Sequence, residues 1–139
     1  MVFWGSNARE AHPIFFHHAM KGIRNGARCF VVDPRRTGTA DWADGHLALR
    51  VGTDIELAHT LSREIIHAGL VHEAFVENAT EGFEAFRAHV EPWTLERGEA
   101  VTGVPAAMIK RLAHALGAAE RGQICWTLGI TEHHNGVDN

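Results

Sequence analysis

Cysteine is scarce in this chain of 139 residues: Cys29 and Cys125 are the only two, far apart and each inside an apolar run. That spacing argues against a disulfide framework or a metal knuckle and suits reduced, buried thiols, so a reducing, cytoplasmic setting is the expectation. Long hydrophobic runs are missing too. No stretch approaches the roughly 20 apolar residues that cross a bilayer, and no basic-then-apolar leader stands before the first element, so a soluble chain without membrane insertion is expected. Nor is there an excess of positive charge. The 13 basic and 17 acidic residues are mixed along the chain to a formal net charge of −4, which leaves no cationic face for DNA or RNA.

Catalytic signatures are also wanting. There is no G-x-S-x-G turn, and neither cysteine lies in a loop that would stabilise a thiolate. The 11 histidines form no chelating set: neighbours such as His17 and His18 point to different faces of a helix, and His133 and His134 have no cysteine or carboxylate at ligand spacing. Asp41 and Asp44 read as surface or packing residues. No catalytic residue and no metal ligand is assigned.

What is present is an alternation of strands and helices, with a length and a hydrophobic content of 45% that suit one domain. Val2 to Trp4 predicts a buried strand, and Pro13 followed by Phe16, Ala19, Met20 and Ile23 predicts an amphipathic helix stopped by Gly26. Cys29 to Val32, closed by Asp33-Pro34, reads as a parallel strand covered on both faces. Leu47 to Leu49 is a shorter third strand. Thr53 and Glu56 have capping-box spacing ahead of a helix from Asp54 to Ala68 with a stripe of Ala58, Leu61, Ile65 and Ile66.

A helical, irregular block follows: Glu73 to Asn78, a stretch through Phe83, Phe86 and Val90, a turn from Thr94, then a helix with Pro105 in its first turn and a stripe of Ile109, Leu112, Ala113 and Leu116. It reads as scaffold inserted before a last buried strand, Ile124 to Leu128. The expected fold is α/β, a Rossmann-like, mostly parallel sheet in the order 3-2-1-4 flanked by helices.

In open α/β sheets ligands bind beyond the carboxyl ends of the strands. The first loop there is Gly5-Ser6-Asn7, small and polar, leading into a helix whose amides would face a phosphate. The second, Asp33-Pro34-Arg35-Arg36-Thr37, offers a carboxylate for a ribose hydroxyl and two guanidiniums for phosphate or base. The third, Gly52-Thr53-Asp54, places a carboxylate where it would accept the N–H pair of a guanine edge or cap the helix. The fourth is Gly129-Ile130-Thr131-Glu132. Each alone is turn chemistry; four at four strand ends point to a nucleotide.

In order along the chain stand W-G-S-N-x-x-E-x-H-P, V-V-D-P-R-R-T-x-T-A, L-R-x-G-T-D, T-E-G-F-E, V-T-G-V-P and W-T-L-G-I-T-E-H-H-N-G-V-D-N. This series resembles the molybdopterin oxidoreductases of the dimethyl sulfoxide reductase family, over essentially the whole chain, and is most similar to their formate dehydrogenase branch, a preference carried by T-E-H-H-N-G-V-D-N. The resemblance implies a domain that binds one guanine dinucleotide arm of a bis-molybdopterin guanine dinucleotide cofactor. It implies contacts from Trp4, Gly5, Ser6, Asn7 and Glu10, from Asp33, Pro34, Arg35, Arg36 and Thr37, and from Gly52, Thr53 and Asp54. Leu128 and Glu132 match positions near the pterin where relatives often carry Met and Gln; an ionised Glu132 accepts hydrogen bonds but donates none.

The family's cysteine cluster for a 4Fe-4S centre, its molybdenum ligand (cysteine or selenocysteine) and its second pterin domain have no counterpart among these residues. The abrupt apolar opening and the polar stretch from Thr131 to Asn139 suggest excision points. The expectation is therefore a single domain, residues 1–139, from a larger catalytic subunit, inactive in isolation. Its partners would be the parent's remaining domains and electron-transfer subunits, and its cut surfaces would favour self-association. Nitrate reductase shares the early motifs. Two readings of other classes stay open: a free-standing NAD-type enzyme, which needs a Gly-rich turn this sequence lacks, and a non-enzymatic interaction domain, which predicts no affinity for guanine nucleotides.

Overall fold

Side chains alternate across the pleat of a strand, and in this protein that alternation divides the core in two. A computed structural model describes all 139 residues. Strands β1 (Val2–Trp4), β2 (Phe30–Val32), β3 (Gly45–Leu47) and β4 (Ile124–Trp126) form one sheet. All pairings are parallel, in the order β3-β2-β1-β4, with Val2 opposite both Phe30 and Ile124. The expected α/β class and strand order are what the structure shows.

On one face, Val2, Trp4, Phe30, Val32 and Leu47 pack against Leu57 and Leu61 of α3 (Asp54–His67) and against Ile109, Leu112 and Ala113 of α7 (Ala106–Gly117). On the other, Phe3, Cys29 and Val31 meet Ala8 of α1 (Ala8–Ala11) and Phe16 and Ala19 of α2 (Pro13–Arg24). The Phe3 ring meets Phe16 edge-on at 6.1 Å. Pro13 supplies the first position of α2, where a missing N–H costs nothing. The block between α3 and α7 holds α4 (Glu73–Ala79), α5 (Phe83–Val90) and α6 (Leu95–Thr102), and a single turn, α8 (Leu128–Thr131), follows β4.

Three expectations need correction. The third strand is Gly45–Leu47 and not Leu47 to Leu49. Gly45 can pair beside Phe30 because it has no side chain, since a Cβ there would lie 2.9 Å from the Phe30 ring. The last strand ends at Trp126 and is not buried: Ile124 is 48% exposed and Trp126 60%, and Cys125 is half-buried. It forms the sheet's edge, and an apolar run alone does not distinguish an edge from a centre. Thr53 makes no capping box, because its hydroxyl donates to Arg50 O at 2.7 Å and leaves the helix amides alone. No helix is long and apolar enough to cross a membrane.

Candidate functional site

The chain leaves β1 for β2 through α1 and α2 on one face, and leaves β3 for β4 through α3 to α7 on the other. β1 and β4 are thus neighbours whose connections run opposite ways, and the crevice beyond their carboxyl ends is where such sheets bind ligands. Gly5 is the hub of that crevice. At φ +57 it turns the chain out of β1 in a conformation that favours glycine. Its N–H donates to Val32 O at 2.8 Å, while its carbonyl accepts from Gly129 N at 3.2 Å and from the Thr127 hydroxyl at 2.9 Å.

The remaining loops are tied to the first. Thr39, in the turn after the second loop, donates its hydroxyl to Asn7 Oδ1 at 3.1 Å and accepts the Arg9 amide at 3.0 Å. The Glu10 carboxylate reaches the same turn, 3.2 Å from where a Cβ on Gly38 would stand. Trp4 Nε1 donates to Asp54 Oδ1 at 2.7 Å and so joins the third loop to β1, across 50 positions of sequence. These ties gather Trp4, Gly5, Asn7, Glu10 and Asp54 at the end of β1, whereas Arg36 turns to Asp41, Thr53 to Arg50, and Pro34, Leu128 and Glu132 are exposed.

Several polar groups at the site are held but unspent. The amides of Ser6 and Asn7 donate to no protein acceptor, whereas those of Glu10 and Ala11 bond Asn7 O, so the open donors precede the four-residue helix α1 and do not come from it. Asp33 is buried, with Oδ1 accepting the Arg35 amide at 2.8 Å and its carbonyl accepting His46 Nε2 at 2.8 Å. Thr37 is 7% exposed, and its buried hydroxyl has no partner. Arg36 pairs with Asp41 at 3.2 Å, while the exposed Arg35 guanidinium has no acid partner. A buried, unpartnered hydroxyl costs about 1–3 kcal/mol, and a bound molecule carrying hydroxyl or phosphate oxygens would relieve that cost.

On the α3 face, at the Trp4–Asp54 tie, lies an open cavity of about 470 Å³ lined by Trp4, Asp54, Ala58, Trp126, Ile130 and Asn139 among others. Trp126 was missed by sequence reasoning; its signal was the register, which sets it directly beside Trp4. The thiols offer no chemistry here. Burial pushes Cys29 up to about 11, and burial raises Cys125 as well, so both stay protonated at neutral pH.

The family model described as molybdopterin oxidoreductase matches residues 1–139. The chain is 40% identical over 139 residues to F420-dependent formate dehydrogenase 2 subunit alpha of Methanococcus maripaludis, covering 100% of this chain and 21% of that protein. It is likewise 40% identical over 139 residues to formate dehydrogenase H of Escherichia coli (99% and 19%), and 30% identical over 135 residues to nitrate reductase of Synechocystis (96% and 19%). Among solved structures, acetylene hydratase from Pelobacter acetylenicus superposes with a TM-score of 0.88 at 31% identity, over 93% of this chain and 18% of that one. The chain thus spans about a fifth of the length of the curated relatives it matches.

Proposed function

This chain belongs to the molybdopterin oxidoreductase family, and we propose that it holds one guanine dinucleotide arm of a bis-molybdopterin guanine dinucleotide cofactor inside a formate dehydrogenase. The observation that carries the proposal is the tying of the other loops to the end of β1, through Trp4, Gly5 and Asn7, with Thr37 Oγ1 and the Ser6 and Asn7 amides unpartnered. Those amides and the free Arg35 guanidinium suit a pyrophosphate. Asp33 and Thr37 suit ribose hydroxyls, since the Asp33 carboxylate keeps an oxygen free after bonding Arg35 N. Asp54 keeps acceptor capacity after taking the Trp4 indole N–H, which suits the N–H pair of guanine. Gly52, at φ +82, allows the turn that brings Asp54 there.

When bound, the cofactor supplies two-electron redox chemistry at molybdenum, and the protein's share in this chain is to bind and orient. In the parent we assign the oxidation of formate to carbon dioxide, on the 40% identity to two formate dehydrogenases against 30% to the nitrate reductase. Other domains of the parent would carry the molybdenum ligand and a 4Fe-4S cluster, and further subunits would take the electrons. The free thiols Cys29 and Cys125 suit a reducing cytoplasm.

Titration with guanosine diphosphate and, separately, adenosine diphosphate tests the proposal, followed by tryptophan emission because Trp4 abuts the first loop. Binding that prefers guanine and is lost in Asp54→Ala is the expected result. A folded sample with no guanine binding would withdraw the assignment of Asp54.

A further inference from the structure

The third loop runs into α3, where the Thr53 carbonyl accepts the Leu57 amide at 3.1 Å, and it has a second anchor outside that helix. Arg50, just ahead of it, reaches the last turn of α6: Nη1 donates to Ala100 O at 2.6 Å and to Val101 O at 2.8 Å, while the Arg50 amide donates to Thr102 O at 2.8 Å. The final carbonyls of a helix lack intrahelical partners and carry the negative end of its dipole, so a guanidinium there satisfies both. The clamp continues into the loop. Thr53 donates its amide and its hydroxyl to Arg50 O, at 3.2 and 2.7 Å.

α6 is itself fixed against α3. Gly98 meets Thr60 so closely that a Cβ on it would fall 2.5 Å from Thr60 Cγ2. The Thr102 hydroxyl donates to Gly98 O at 2.7 Å and accepts the Val104 amide at 3.1 Å, and Gly103 at φ +75 ends the helix beside the Arg50 guanidinium. The backbone of Gly52 to Asp54 is therefore held between the start of α3 and the end of α6, while Trp4 holds one carboxylate oxygen of Asp54.

We infer that Arg50 is a positioning residue for Asp54, through which the helical block between α3 and β4 sets the base-recognising end of the nucleotide site. The inference rests on the nucleotide reading above. Without the clamp the Asp54 carboxylate swings about its bond to Trp4, so base preference suffers while the phosphate contacts of the first two loops do not.

The experiment compares the chain with Arg50→Ala and Arg50→Lys in two readouts: the ratio of guanosine to adenosine diphosphate affinity, and amide hydrogen exchange at residues 51–54. Losing hydrogen bonds from a charged donor predicts a loss of about tenfold or more in guanine preference for Arg50→Ala, with adenosine diphosphate affinity nearly unchanged. Exchange at 51–54 should rise, and Arg50→Lys should recover part of both. Should Arg50→Ala not fold, Arg50→Lys alone decides: reduced preference with faster exchange supports the role. A folded variant with unchanged ratio and unchanged exchange overturns it. A wild-type chain without guanine preference overturns it together with the nucleotide reading, and is told apart because no variant is then needed to see the failure.

Discussion

Gly5 and Gly129 meet backbone to backbone at the ends of neighbouring strands. A Cβ built on Gly5 would lie 2.6 Å from Gly129 C, and one on Gly129 would lie 2.5 Å from Gly5 O. Backbone cannot move aside as a flexible side chain can, so the crevice between the first and fourth loops closes only with glycine at both positions. Gly5→Ala adds strain at φ +57 to this clash and should destabilise the chain by about 2–4 kcal/mol. Gly129→Ala brings the clash alone and should cost less, about 1–3 kcal/mol. Urea unfolding of both variants checks this, and the reverse order would show that the strand ends separate freely.

Trp4 and Asp54 form the second such tie. Trp4→Phe keeps an aromatic ring in the core but leaves Asp54 Oδ1, 2.7 Å from the indole in the native chain, without its donor. The expected cost is about 2 kcal/mol, read as a lower urea midpoint with an unchanged slope. Equal midpoints would mean that water replaces the indole at no cost.

Acid should loosen the packing of α5 on α3. The His59 ring stands 4.8 Å from that of His89 and 5.9 Å from Trp93, and its Nδ1 is buried without a partner. Burial first, and the neighbouring His89 second, push His59 below its ordinary 6.5, with Glu56 opposing. The folded form thus takes up a proton less readily than the unfolded one, so this contribution is complete above the unfolded value and is lost as pH falls from 6.5 through the folded one. Glu91 acts lower. Its hydrogen bond from His67, at 2.7 Å, holds it below its ordinary 4.5, so its contribution is present above that value and fades in stronger acid. The unfolding midpoint of the wild type should fall relative to that of His59→Phe as pH drops from 7.5 to 5, and parallel curves would dismiss His59 as the cause.

The edge at β4 should mediate self-association of the isolated chain. Ile124 and Trp126 on the edge strand, and Leu128 in the turn just past it, are exposed at 48%, 60% and 63%, and an uncovered apolar edge recruits another chain. In the parent we propose that the remaining domains cover it. Sedimentation over a concentration series should show dimers for the wild type and monomers for Trp126→Lys. A wild-type monomer throughout would place the association elsewhere or nowhere.

The parallel sheet was legible because apolar runs and helical stripes are local patterns; the order 3-2-1-4 is an expectation from the Rossmann-like class that no residue here fixes and that the pairings bear out. The loops that matter were legible for the same reason: they follow strands. Leu47 to Leu49 misled because Gly45, which a strand pattern disfavours, was needed beside Phe30. Thr53 misled because capping-box spacing does not specify where a hydroxyl points, and here Arg50 O was nearer.

The sequence by itself determined the layers and the polar loops that follow the strands, since burial of apolar surface at periods of 2 and about 3.6 residues is encoded over short windows, while the strand order is a matter of tertiary pairing. Only the tertiary structure decided that Trp4 serves Asp54, that Gly5 admits Gly129, that Thr37 is left unpartnered and that α6 supports the third loop through Arg50. Those relations join residues 50 or more positions apart, apart from Thr37's isolation, and depend on register and packing distance that no local pattern fixes.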